Sequence, residues 1–304
     1  MKCRACRQPA VVEIRRHNAA FCEPCFFRHC SEQVNRTVEA FEMIRPGERV
    51  LVAVSGGKDS LALWDILLDA GVAADGLYLG LGIGDYSDES GQCARAFAAR
   101  RGAKLVEIDL PHQFGYDIPT GAAAARRAPC SACGLSKRHL FNQAALDGAY
   151  DVVATGHNLD DEAAVLFGNV LRWDLAYLGR QHPVLPESPG FARKVKPLIR
   201  LGEREMAAYC VLRGIDYIVE ECPMAVGNRH LGYKEALNAV EVTSPGSKAA
   251  FYFGFLERVA PLVQSVAEAE RAALHPCPGC GSPTVSEVCA FCKLVERAGG
   301  RTAP

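Results

Sequence analysis

The sequence predicts an α/β protein built on a parallel sheet, with a small cysteine-rich module at each end. Three observations predict it. Short apolar runs alternate with helix-patterned segments between residues 48 and 222. Glycine-containing or polar turns follow several of those runs. Cysteine pairs gather near both termini. A strand–helix–strand rhythm implies right-handed crossovers, with ligands bound beyond the carboxyl ends of the strands.

The elements follow in order. RVLVAV (49–54) is an apolar run suited to a strand buried on both faces. It leads through SGGKDS into the helical LALWDILLDAG. GLYLGLG (76–82) is the next strand, followed by the helical SDESGQCARAFAARRG, and KLVEIDL (104–110) follows that. DVVATGH (151–157) runs into LDDEAAVLFGNVL, with Asn158 or Asp160 suited to cap the helix. EREMAAYCVLRG (203–214) reads as a helix and DYIVEEC (216–222) as the last strand, ended by Cys222. A helical stretch is expected from about Ser247 to Leu274, and a disordered tail over 298–304. These units divide the chain into an N-terminal module (1–30), a catalytic domain (31–222), a helical extension (223–274) and a C-terminal module with its tail (275–304).

The chain has 304 residues, 49% hydrophobic, enough for one sizeable core. It has no apolar run of transmembrane length and no signal-peptide core at MKCRACRQPA, so a cytoplasmic protein with no membrane partner is expected. The net charge of −1 does not advertise a nucleic-acid binder, but basic residues cluster. Arg126, Arg127, Lys137 and Arg138 lie in a segment without acids. Arg193, Lys194, Lys196, Arg200 and Arg204 form a second group, read as candidate RNA-backbone contacts together with Arg229 and Lys234.

Ten of the 14 cysteines form five CxxC pairs, which in a reducing compartment point to metal or catalysis rather than disulfides. Cys3, Cys6, Cys22 and Cys25 have the spacing of a Cys₄ zinc site. Cys277, Cys280, Cys289 and Cys292 form a second set, so two structural Zn²⁺ are expected. Cys93 and Cys210 fall in helical patterns and read as small hydrophobes. Cys130 and Cys133 precede a helix carrying Lys137, and with Cys222 are expected to meet at the strand ends. Three thiolates can hold an iron–sulfur cluster with one iron open; a Cys₃ zinc site, a redox relay or a persulfide on Cys133 or Cys222 are the alternatives.

Ser55-Gly56-Gly57-Lys58-Asp59-Ser60 sits between a strand and a helix. Its glycines admit phosphate oxygens to backbone N–H groups at a helix N-terminus. It is neither a Walker A loop nor GxGxxG, and it resembles the SGGxDS signature of the PP-loop ATP pyrophosphatases. That resemblance implies a Rossmann-like PP-loop domain that binds ATP and adenylates a substrate, with Mg²⁺ placed near Asp59. It also implies nucleotide contacts at Ala53, Leu79 and Gly156, and a role for Asp161 near the reacting centre.

Taken together, the N-terminal Cys₄ set, VAVSGGKDSLALW, CSACGLSKR, ATGHNLDDEA, VKPL, EECP, YKEALN and the C-terminal Cys₄ set resemble the TtuA-type tRNA 2-thiouridine synthetases over nearly the whole chain. The resemblance implies a [4Fe-4S] cluster on Cys130, Cys133 and Cys222, and catalytic roles for Asp59, Lys137 and Asp161. It implies transfer of sulfur to O2-activated T-loop 5-methyluridine, a ubiquitin-like thiocarboxylated sulfur-carrier protein as partner, and a homodimer. Where some members carry a His among the N-terminal ligands, this chain has Cys25. The rivals are 2-thiolation of an anticodon-loop uridine or cytidine, another PP-loop adenylating enzyme, or a non-catalytic RNA-binding or carrier-binding hub.

Overall fold

The computed structural model describes residues 1–227, 229–263 and 274–301. Its centre is a six-stranded sheet of β3 (Arg49–Val54), β4 (Ala73–Gly80), β5 (Leu105–Asp109), β6 (Val152–Thr155), β7 (Val184–Leu185) and β8 (Arg193–Val195). The order is β5-β4-β3-β6-β8-β7, parallel except for β7. The chain starts in the middle, winds to one edge and returns to the other side of β3. The order therefore reverses between β3 and β6, and a crevice opens beyond their carboxyl ends.

Period-two alternation assigns the faces. Val50, Val52 and Val54 pack with Leu61, Trp64 and Tyr209 from α2 (Lys58–Asp69) and α9 (Glu203–Arg213). Phe97 of α3 (Gly84–Arg101) joins them, its ring 5.1 Å from Trp64. On the opposite face Leu51, Leu77 and Val153 meet Ala145 of α6 (Pro129–Asp147). The short helices α4 (Leu110–Phe114) and α5 (Ile118–Ala124) lead into α6. Helix α7 (Leu159–Arg172), with the short α8 (Leu175–Leu178), packs with α10 (Arg229–Thr243) and α11 (Ser247–Arg258) through Leu166, Ile199, Tyr252 and Phe255.

The hairpin β1 (Val12–Ile14)–β2 (Ala19–Phe21) and the start of α1 (Glu23–Ala40) form the N-terminal module. α1 runs through the boundary expected at residue 30 and buries Phe26 and Val34 in the main core. The C-terminal module is the pair β9 (His275–Pro276) and β10 (Pro283–Thr284), followed by α12 (Ala290–Arg297).

Three expectations are corrected. Residues 216–222 join no sheet; Ile218 N donates to Gly56 O at 3.0 Å, so this extended segment braces the glycine loop. Cys222 accordingly precedes a 3₁₀ turn, Pro223–Ala225, rather than ending a strand. The tail is tied down as far as Arg301, whose N–H donates to Phe114 O at 2.9 Å. Helix α11 ends at Arg258, and residues 264–273 of the expected long helix lie outside the described residues.

Candidate functional site

The loop 55–60 occupies the crevice between β3 and β6. Gly56 has φ +73°, and a Cβ there would overlap the carbonyl oxygen of Ser90, so only glycine fits. Ser60 Oγ accepts from Ser55 N at 3.0 Å and donates to Gly57 O at 3.0 Å. The loop is thus shaped before any phosphate arrives, with Gly57 at the N-cap of α2. Gly156 touches it from β6: a Cβ there would lie 2.8 Å from Ser60 N. Ala53 and Leu79 lie at the ends of neighbouring strands, Ala53 paired in register with Leu77 and Thr155. A cleft of about 370 Å³ lined by Gly80, Gly82, Arg95 and Asp109 opens beyond β4 and β5, one strand away from the loop.

A ring of charges closes the site. Asn158 caps α7, accepting from the N–H groups of Asp160 and Asp161 at 2.9 and 3.2 Å, while Asp161 accepts from Asn158 N at 3.1 Å. The amide of Asn158 also donates to Asp59 Oδ1 at 2.9 Å, so the cap and the glycine loop are one unit. Lys58 Nζ lies 3.1 Å from Asp59 and 2.8 Å from Glu203. Lys234 Nζ lies 2.6 Å from Asp161 and 3.2 Å from the other oxygen of Glu203. Burial, joined by the like charge of Asp161, pushes Asp59 up from its ordinary value despite Lys58. Two partly buried carboxylates that repel each other suit a divalent cation with oxygen ligands, so Mg²⁺ fits at Asp59 and Asp161.

The three cysteines lie on the rim. Cys130 and Cys133 occupy the first turn of α6, and Cys130 Sγ donates to Met224 O at 3.4 Å, drawing the turn after Cys222 onto α6. Burial first, then the charges of Cys133 and Cys222, raise the Cys130 thiol, which places the three within one electrostatic neighbourhood. Tyr86 of α3 packs against the same apolar cluster as Cys133 and Cys222, and burial, then the charge of Cys222, raises its hydroxyl. The charge of Lys137 reaches Cys130 on one side and His157, in the loop after β6, on the other. Cys130 is exposed and the other two are half-buried, so the trio opens to solvent.

The two Cys₄ sets are tighter. Within each, all four sulfurs lie within 4.8 Å of one another; among the described residues no other group of His, Cys, Asp and Glu does so. Sulfur pairs are separated by 3.4 Å (Cys6–Cys22), 3.6 Å (Cys280–Cys289) and 3.9 Å (Cys277–Cys292). A zinc–sulfur bond of about 2.3 Å in a tetrahedron gives a sulfur–sulfur edge of about 3.8 Å, so both sets fit zinc. Burial raises the thiols of Cys3 and Cys277, but backbone N–H donors outweigh it and bring each down to about 6. Each set thus contains one thiol ready to bind metal as thiolate at neutral pH.

Residues 2–27 match a family model described as the N-terminal LIM domain of 2-thiouridine synthetase TtuA. A tRNA-5-methyluridine(54) 2-sulfurtransferase of Thermus thermophilus is 50% identical over 294 residues, covering 97% of this chain and 91% of that protein. This chain belongs to the TtuA-type tRNA sulfurtransferases. Like them it is a PP-loop enzyme. The family member of Pyrococcus horikoshii, of the same description, is 40% identical across 97% of this chain and 93% of its own. The fold is shared with the U34-tRNA thiolase NcsA of Methanococcus maripaludis, solved with its [4Fe-4S] cluster (TM-score 0.79, 24% identity, 97% and 96% coverage).

Within this family frame the second basic cluster needs correction. Arg193 is buried and paired with Glu48 and with Glu187 at 3.1 Å. Lys196 pairs with buried Glu162 at 2.8 Å, and Arg200 lies 4.7 Å above the Phe253 ring. Lys234 faces inward. Arg193, Lys196 and Arg200 hold the fold together, whereas Arg126, Arg127, Arg138, Arg204 and Arg229 remain exposed. Glu203 and Tyr86 escaped the sequence reading: neither sits in a motif, and only the folding of α9 and α3 over the crevice reveals them.

Proposed function

We propose that this protein uses ATP to activate the O2 of a T-loop 5-methyluridine in tRNA and replaces that oxygen with sulfur. ATP lies on residues 55–60 with Mg²⁺ at Asp59. O2 attacks the α-phosphorus and pyrophosphate leaves; sulfide then attacks C2 and AMP leaves with the former O2. Lys137 and Asp161 flank the reacting centre, and fixed charge stabilises the phosphoryl step. A [4Fe-4S] cluster on Cys130, Cys133 and Cys222 would supply an iron without a protein ligand, at which sulfide can be held.

The observation that carries this reading is the joining of the glycine loop to the start of α7, where Asn158 donates to Asp59 Oδ1 at 2.9 Å and Asp161 accepts from Asn158 N at 3.1 Å. Exposed Arg126, Arg127 and Arg138 around Cys130 offer phosphate contacts for tRNA. The target base must leave its stack to reach the crevice, which favours a loop nucleotide. The sulfur comes from a ubiquitin-like thiocarboxylated carrier. The enzyme acts as a homodimer in the cytoplasm. Exposed Leu171, Trp173, Leu175 and Tyr177 support an interface on α7–α8, and among the described residues no helix is long and apolar enough to cross a membrane.

The test is nucleoside mass spectrometry of tRNA from cells lacking the gene. Loss of 2-thioribothymidine alone is expected. Loss of an anticodon 2-thiouridine or 2-thiocytidine instead moves the target, and persistence of every thionucleoside in a strain without a homologue overturns the reading.

A further inference from the structure

Lys234 enters the crevice from α10, a helix outside the sheet that buries none of its residues fully. Such a helix needs specific fastening, and it has it. Tyr233 covers Gly168 of α7 so closely that a Cβ at Gly168 would lie 2.6 Å from the ring. Asn238 accepts from Lys248 Nζ at 2.6 Å, and the same ammonium binds Asp160 in the first turn of α7. Both fastenings fix the height of Lys234 along α7. On the other side, Glu203 N donates to Asp160 Oδ2 at 2.8 Å, which fixes the first turn of α9 against the same residue. Two elements are thus set around Asp160 so that Lys234 and Glu203 meet.

Glu203 binds one lysine on each oxygen, Lys58 at 2.8 Å and Lys234 at 3.2 Å. The two ammoniums are therefore spaced to span a single tetrahedral or trigonal oxyanion. Lys58 is part of the ATP-binding turn, and Lys234 stands beside Asp161. Two ammoniums that converge on one carboxylate mark a place that another oxyanion can take. Phosphate presents the same pair of oxygens as carboxylate, with more charge.

We propose that Lys234 binds a phosphate of the nucleotide jointly with Lys58, and that Glu203 is a positioning residue that holds the two ammoniums side by side until that phosphate takes its place. The inference rests on the ATP reading above. It assigns the helical extension a direct part in the chemistry, beyond covering α7.

The intact, cluster-loaded protein would be assayed for binding of a non-hydrolysable ATP analogue and for tRNA-dependent pyrophosphate release. Lys234→Ala should weaken analogue binding about 10-fold and lower kcat about 100-fold, as loss of a charge-assisted contact predicts. Lys234→Arg should restore most of the binding. Glu203→Gln should leave analogue binding within about 3-fold, because it removes a competing anion, yet lower kcat about 10-fold; Glu203→Asp should recover part of that loss. Iron content and thermal unfolding report whether each variant is folded. Analogue binding by folded Lys234→Ala within 2-fold of the parent overturns the role of Lys234. Parent-like kcat in Glu203→Gln overturns positioning. A parent protein that binds no analogue sinks the ATP reading itself, and is distinguished from both.

Discussion

The two Cys₄ modules hold the same four ligands and are attached differently. The N-terminal module adds a buried ion-pair cluster to an apolar seam, in which Ile14 and Phe26 join the main core. Arg16 pairs with buried Glu205 and donates to Arg200 O at 2.8 Å, while His29 Nε2 lies 3.7 Å from Glu205. Glu205 in turn accepts from Gly202 N at 2.7 Å and so caps α9, two residues from Glu203. The C-terminal module docks through apolar surface. Phe291 stacks on His139 of α6 at 3.8 Å and meets Phe114 edge-on at 5.7 Å, with Leu294 and Val295 buried beside Leu110 and Leu140. Cys133 and Cys222 pack against that same apolar cluster. One module is therefore connected to the lysines of the ATP site and the other to the cysteine trio. Identical metal chemistry can serve two different halves of one reaction.

The largest effects should come from removing a zinc ligand on either side. Cys292→Ser should release zinc, open the apolar seam and cost the trio its iron, while an ATP analogue still binds. Cys3→Ser should do the reverse, keeping iron and losing tRNA-dependent pyrophosphate release. Structural zinc in small modules carries about 10–16 kcal/mol of apparent binding energy, so neither module should survive without it. Metal analysis beside analogue binding checks both; iron loss in both variants alike would mean that the modules are not separately connected.

Smaller changes sharpen the contrast without removing metal. Phe291→Ala should cost about 3–5 kcal/mol by opening a cavity against His139 and Phe114, read as a lower urea midpoint. Arg16→Ala should cost about 3 kcal/mol, because it takes the guanidinium from the buried Glu205 carboxylate. High salt should not mimic Arg16→Ala, since the pair is screened from solvent. A parent-like urea midpoint in Arg16→Ala would show that the apolar contacts of Ile14 and Phe26 carry the dock without the ion pair.

Much of this arrangement was legible in the chain. Cysteines two apart on a knuckle carry their geometry with them, and SGGKDS between an apolar strand and a helix could hardly do anything else. What misled was local pattern without partners. DYIVEEC alternates like a strand, yet β8, the strand that pairs with β6, is Arg193–Val195. Its charges hid it: Arg193 is buried only because Glu187 and Glu48, the latter 145 residues away in sequence, neutralise it. The same residues then looked like an RNA-binding patch. Asn158 shows the converse case, since capping and contact with Asp59 are both true of one side chain. Glu203 and Lys234 were invisible as a pair, because they lie 31 residues apart on two different helices.

The smallest expected effect distinguishes the docking modes by pH. Burial, then the charge of Lys194, lowers His139 from an ordinary value near 6.5 to about 4. Its folded value is below its unfolded one, so the neutral ring stabilises the folded seam fully above about 6.5, and that support fades as pH falls towards about 4. Glu205 is also lowered: burial raises it, but His29, Arg16 and Gly202 N–H outweigh burial. Its contribution is complete above the ordinary glutamate value of about 4.3 and is lost only as pH falls further, through its folded value. Acidification from pH 6.5 should therefore loosen the C-terminal module first. Amide exchange across α12 and β1–β2 measures this, with His139→Phe as the control. That variant keeps a ring against Phe291 and removes the titration, so any acid sensitivity it retains in α12 belongs to the zinc thiolates. If α12 in His139→Phe opens at the same pH as in the parent, the imidazole takes no part. If β1–β2 opens before α12 in the parent, the N-terminal dock is the weaker of the two, and the titration of His139 does not set their order of release.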